Sequence, residues 1–190
     1  EMIKAGKIKA EEAVIGYVGA YTYAEVISGM TSFFLGARSV CESATMKVRY
    51  TGSWYDQGKE QEAATALIEK DKCVLISQHA DSLGAPTACE LAGVPNVSYN
   101  GSTYSAGKNT FIVSSAINWA PYFQYIIECA VKGQAIDSDW CGDIATNSVV
   151  ISGLNQGVAA EGTEAKLKEA IDAFKAGTLK VFATDKFTVD

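Results

Sequence analysis

The sequence predicts an open α/β sandwich, three layers deep, around a mostly parallel sheet. Short apolar runs alternate with longer stretches of helical periodicity along most of the chain. Runs such as Val74-Leu75-Ile76 are apolar at successive positions, as strands covered on both faces require. Strand, helix and strand in repeated succession call for right-handed βαβ crossovers and therefore parallel neighbours. Composition permits such a core. The chain has 190 residues, 48% of them hydrophobic, enough for one well-cored domain. With 10% aromatics and only three prolines, it does not have the composition of a disordered segment.

Each element has a local signature. Ala13 to Gly19 reads as a buried strand ending on glycine, and Tyr23 to Val40 as a helix with Val26, Ile27, Met30, Phe33 and Phe34 on one stripe. Met46 to Ser53 is a second strand. Gln57 to Lys70 is a helix with its acids early and a lysine last, which suits the helix dipole. Cys73 to Ser77 is a third strand, and Pro86 to Ala92 a short helix stopped by Gly93. Asn96 to Tyr99 and Thr110 to Ala116 are strands. Pro121 opens a helix, where its missing N–H costs nothing, and Gly133 follows its end at Val131. Residues 134–147 are polar and read as loop. Val149 to Ile151 is a strand, Thr163 is read as the N-cap of a helix reaching Ala176, and Lys180 to Ala183 as a last strand.

Charge and motifs exclude several functions. A net charge of −6 and a pI near 4.9 argue against gripping nucleic acid through phosphates. Lys and Arg are dispersed, so there is no polybasic patch. No run approaches the roughly 18–20 apolar residues of a membrane span, and neither a signal peptide nor a lipidation motif is visible. The chain opens on Glu1, the expectation being a processed product or a piece of something longer. Five cysteines at 41, 73, 89, 129 and 141 form no CxxC pair. Their odd number forbids complete internal pairing, and buried free thiols are the favoured reading. Neither a GxGxxG fingerprint, a phosphate loop nor a G-x-S-x-G elbow is complete. No spacing suits a metal, and no cofactor is expected.

In an open parallel sheet, ligands bind beyond the carboxyl ends of the strands. Those ends are Gly19 to Glu25, Gly52 to Asp56, Gln78 to Ser82, Asn100 to Tyr104 and Ser114 to Trp119. All five carry aromatics or neutral hydrogen-bonding groups, which suits a planar, polar, uncharged ligand. Plainer roles compete at single positions. Trp54 can roof the core, and a lone histidine such as His79 is commonly a structural hydrogen-bonder. Asp56, Asp81 and Ser82 can cap helices, and Trp119 can be a hydrophobic staple before a helix. A small-molecule sensor or enzyme with His79 and Asp81 as acid and base is the alternative to a binding protein.

A family resemblance then emerges. Ile15 to Gly19, Ala24 to Met30, Phe34 to Val40, Ser53-Trp54-Tyr55-Asp56-Gln57-Gly58-Lys59-Glu60 and Gln78-His79-Ala80-Asp81-Ser82 resemble the basic membrane protein family. Gly93-Val94, Tyr99-Asn100, Asn118 to Tyr122 and Gly177 to Phe182 extend the match over nearly the whole chain. These are purine nucleoside receptor A-like substrate-binding lipoproteins of bacterial ABC transporters.

The resemblance implies a type I periplasmic-binding-protein-like fold, of which this chain is essentially one lobe of two. Residues 13–109 with 142–190 would form the second lobe. Residues 110–141 would be a crossover and a helix that packs on the absent first lobe. The helix's apolar face, with Tyr122, Phe123, Ile126 and Ile127, would then be exposed or buried against a second copy. The implied ligand is a purine nucleoside or related base, and the implied partner an ABC permease. The implied location is extracytoplasmic, with a lipoprotein anchor absent from this chain. Carried over, Trp54 is the stacking plate, His79 and Asp81 face the cleft, and Asn100 and Ser102 lie at the ribose; Tyr21, at the end of the first strand, is a further candidate for ligand binding. Trp119 falls in the hinge motif. The chain departs from the family at Ser102, where many members carry an acid able to accept two ribose hydroxyls.

Overall fold

The computed structural model describes residues 2–183. After a 3-10 turn at Ala10–Glu12, the chain forms β1 (Val14–Gly19), α1 (Ala24–Val40), β2 (Thr45–Tyr50) and α2 (Gln57–Glu69). Then come β3 (Leu75–His79), α3 (Gly84–Ala92), β4 (Asn96–Tyr99), β5 (Phe111–Ile117), α4 (Ala120–Lys132), β6 (Val149–Ile151) and α5 (Thr163–Lys175). The six strands make one sheet in the order β2-β1-β3-β4-β5-β6. All neighbours are parallel except β6, which runs antiparallel to β5.

Alternation along β1 sorts the helices onto two faces. Val18 joins Ala64, Leu67, Cys73, Ile76, Ala85, Ala88 and Cys89 in the main buried cluster beneath α2 and α3. Its neighbour Tyr17 points the other way, its ring centroid 6.0 Å from that of Phe33 on α1. The expected three layers are present: α1, the sheet, then α2 with α3.

Local chemistry sets the ends of most elements. The Asp56 carboxylate caps α2 by accepting from Lys59 N at 3.0 Å. Gly93 and Gly133 close α3 and α4 in the left-handed region, with φ of 68° and 63°. Gly52, at φ 68°, turns the chain away after β2, so the strand stops at Tyr50 rather than Ser53. β3 starts two residues later than its apolar run implied and carries His79 as its last residue.

Two expectations need correction. Thr163 is not the N-cap of α5: Gly162 holds that position at φ 82°. The turn before it is already closed by Thr163 N on Ala160 O, and the Thr163 hydroxyl donates to that same carbonyl at 2.7 Å. Lys180 to Ala183 is not a strand. A strand needs a neighbouring ladder, and this segment takes part in none of the sheet's pairings, leaving Phe182 exposed.

All five cysteines are free, with Cys73, Cys89 and Cys129 buried, Cys41 half-buried and Cys141 exposed. Among the described residues no helix is long and apolar enough to cross a membrane.

Candidate functional site

The strand order places a topological switch beside β1. The chain steps from β1 outward to β2, then returns across β1 to β3. The helices leaving β1 and β3 therefore depart on opposite faces, and a crevice opens between them at the strand ends. Those ends are level, Gly19 pairing with Tyr50 on one side and His79 on the other. Main-chain bonds carry the register past the sheet: Ala20 N donates to His79 O at 3.1 Å, and Gly52 N to Ala20 O at 2.9 Å.

Aromatic rings gather at this switch. Tyr21 and Tyr23 stack at 5.1 Å, and Trp54 stands 5.5 Å and 6.0 Å from them. His79 follows at 6.4 Å from Trp54 and lies 3.9 Å from the ring of Tyr99. The group thus draws on the ends of β1, β2, β3 and β4. The loops bearing it are bound together: Asp81 N donates to the Trp54 carbonyl at 2.8 Å. Beneath them lies Glu60, fully buried. Its Oε1 accepts from Asp56 N at 3.2 Å and Ser82 N at 3.3 Å, joining the β2–α2 and β3–α3 loops. Burial raises the Glu60 pKa above its ordinary 4.5, against the pull of those hydrogen bonds. Among the described residues its Oε2 has no hydrogen-bond partner.

His79 is 4% exposed. Its Nδ1 lies 3.5 Å from the hydroxyl of Tyr17, and Nε2 lies 3.6 Å from Oε1 of Glu25 in the first turn of α1. The second distance is beyond a hydrogen bond, and among the described residues Nε2 has no hydrogen-bond partner. Burial lowers the His79 pKa below 6.5, only partly opposed by the charges of Glu25 and Asp81, so the ring is neutral near pH 7. Gly29 permits this packing. A Cβ there would come within 2.8 Å of His79 Nδ1 and 3.3 Å of the Tyr17 hydroxyl.

The predicted residues divide by location. Tyr21, Trp54 and His79 meet at the switch. Asp81 is exposed on the adjoining loop, and the turn into α3 is served by Ser82, whose hydroxyl accepts from Gly84 N at 3.1 Å. Asn100 and Ser102 follow Tyr99 directly, both exposed. Asn100 is left-handed at φ 60°, and the Ser102 hydroxyl accepts from Tyr104 N within its own loop. Trp119 has its ring contacts with Tyr122 and Phe123 of α4, at 6.3 Å and 6.5 Å. Sequence reasoning did not single out Tyr17, Tyr23, Glu25 or Tyr99. Three of them follow or end strands whose carboxyl ends were already in view, which is the signal that would have found them.

The chemistry available is recognition: aromatic faces, a neutral imidazole and two accessible carboxylates, Glu25 and Asp81. Among the described residues no group of three or more His, Cys, Asp or Glu is placed to hold a metal ion.

Comparisons with known proteins give this geometry a context. Residues 4–178 match the family described as ABC transporter substrate-binding protein PnrA-like. A putative ABC transporter glucose-binding protein of Haloferax volcanii is 35% identical over 133 residues, 70% of this chain and 34% of that protein. A purine-binding protein of Brucella abortus is 32% identical over 114 residues, 60% of this chain and 32% of that protein. The chain thus spans about one third of the length of these curated relatives. Among solved structures, a solute-binding protein of an ABC transporter system from Conexibacter woesei superposes with a TM-score of 0.73 at 22% identity. That superposition covers 90% of this chain and 58% of the other. A transcriptional activator of the comK gene from Bacillus halodurans gives 0.69 at 18% identity, over 92% and 59%. At these identities the structures support the fold: a mostly parallel α/β lobe of the periplasmic-binding-protein kind. The match over residues 4–178 carries the assignment, and the chain belongs to the PnrA-like substrate-binding proteins of ABC transporters.

Proposed function

We propose that this chain supplies one ligand-binding lobe of an importer's solute receptor, and that its solute is a purine nucleoside or the corresponding base. The observation that carries the reading is the ring group Tyr21, Tyr23 and Trp54 beside the buried ring of His79 at the β1/β3 switch. Stacking on a tryptophan face with hydrogen bonds at the ring edge is how a flat, polar, uncharged solute is held. The Brucella relative's name, a purine-binding protein, favours this solute. In this reading Asn100 and Ser102 meet a ribose, and Asp81 lies at the rim of the cleft. Residues 13–109 and 142–190 form the second lobe in this reading. Residues 110–141, which begin with β5 in this lobe's own sheet, lead on to the first lobe, with Trp119 at the hinge. The receptor works outside the cytoplasm, held there by a lipoprotein anchor, and delivers its solute to an ABC permease.

A sugar is the second reading, favoured by the Haloferax relative's name and by Ser102 in place of an acid. Equilibrium binding of adenosine, guanosine, inosine and D-glucose to the intact protein tests both. Saturable binding of a nucleoside without turnover supports the first reading. Glucose alone supports the second. Turnover that falls in His79→Gln would replace both with an enzyme.

A further inference from the structure

Glu25 and His79 leave a donor and an acceptor facing one gap. The imidazole is almost wholly buried, yet among the described residues Nε2 has no hydrogen-bond partner. Oε1 of Glu25 lies 3.6 Å from it, on a side chain 64% exposed at the start of α1. The environment selects the tautomer. Were the proton on Nδ1, the bare lone pair of Nε2 would face a carboxylate, two acceptors 3.6 Å apart, at a cost comparable to an unmade buried hydrogen bond. With the proton on Nε2, the ring presents N–H toward the carboxylate, and the Tyr17 hydroxyl donates to Nδ1. The Tyr17 phenol keeps its proton, because burial raises its pKa.

We propose that Glu25 and His79 act as one recognition unit: the exposed Glu25 side chain swings clear of the buried Nε2, and a solute atom that accepts from Nε2–H then sits next to one that donates to the Glu25 carboxylate. Solutes with adjacent acceptor and donor atoms on a ring edge fill both roles. The ring nitrogen and amino group of adenine do so, as do the carbonyl and ring N–H of hypoxanthine, and neighbouring hydroxyls of a sugar. A solute lacking the donor leaves the carboxylate facing an acceptor. A solute lacking the acceptor leaves Nε2–H unpaired in a buried site. Trp54 and Tyr21 then choose by shape, while this pair chooses by hydrogen-bond polarity. The unit rests on the receptor reading but on neither solute in particular.

The test is nitrogen NMR of the intact protein labelled with 15N-histidine, the His79 ring assigned by its loss in His79→Gln. Adenosine, inosine and D-glucose serve as probes, with calorimetry alongside. The free protein should show the Nε2–H tautomer, and Tyr17→Phe should raise the Nδ1–H form. At least one probe should shift Nε2, and Glu25→Gln should weaken that probe's binding by about tenfold or more with the melting temperature unchanged. An Nδ1–H ring in the free protein overturns the proposal. So does a probe that binds without moving Nε2, or the failure of all three to move it. A nucleoside that binds without moving Nε2 leaves the purine reading standing while this unit falls. If glucose moves Nε2 and no nucleoside binds, the unit stands and the purine reading falls.

Discussion

Glu60 holds the two loops of the crevice together at the expense of a buried charge. A carboxyl whose folded pKa is raised above its unfolded value adds most stability at low pH, where both states are protonated, and that contribution is lost as pH rises through the folded pKa. Glu60→Gln should remove this dependence, so that melts from pH 5 to 8 run flatter than in the parent. Glu60→Ala should cost about 1–3 kcal/mol, because Asp56 N and Ser82 N lose their acceptor. His79 has the opposite sense. Its folded pKa lies below 6.5, so the unfolded chain takes up a proton first, and stability falls as pH drops below about 6.5. In His79→Gln that part of the acid loss should disappear from the melting curves. The buried thiols give an independent check. Burial pushes Cys73 up to about 11 and Cys89 to about 12, so a thiol reagent at neutral pH should label the exposed Cys141 and spare both.

Elements are held apart or together by what their glycines leave out. α2 and α3 cross at Gly84, where a Cβ would overlap the Gln57 carbonyl and lie 2.8 Å from Gln61 N. Both are backbone atoms and cannot swing aside. Gly84→Ala should therefore lower the melting temperature sharply, by roughly the 1–3 kcal/mol of an overpacked core. Gly36 in α1 has nothing within 4 Å of its Cβ position. Gly36→Ala should raise stability by about 0.5–1 kcal/mol through helix propensity alone.

Sequence periodicity and end signals made most of these elements legible. Asp56, Gly93, Pro121 and Gly133 mark helix ends by chemistry that acts within a few residues. Lys180 to Ala183 misled because an apolar, strand-forming run says nothing about whether a sheet edge is free beside it. The same division holds at the site. Tyr21, Trp54 and His79 were legible because strands run to their carboxyl ends in a predictable place. Glu25 and Tyr99 became partners of His79 only through the order β2-β1-β3-β4 and the face on which α1 lies, and no local pattern encodes either.

The whole molecule turns on whether this lobe closes on a solute. Its α4 presents Phe123, Ile127 and Val131 at 57%, 62% and 82% exposure, the face that the two-lobed reading puts against the other lobe. The 190-residue chain by itself should therefore self-associate in light scattering, and Ile127→Glu should return it to a monomer. A monodisperse monomer with Phe123 protected from solvent would count against that placement. Solute recognition is tested most directly by titrating adenosine, guanosine and inosine calorimetrically into the intact protein and its Trp54→Ala variant. Saturable binding of at least one nucleoside is expected, weakened in the variant by roughly the 1–3 kcal/mol that a base stacked on an aromatic ring contributes, about five- to a hundred-and-fiftyfold. Silence toward all three nucleosides, or equal affinity in the Trp54→Ala variant, would contradict the account.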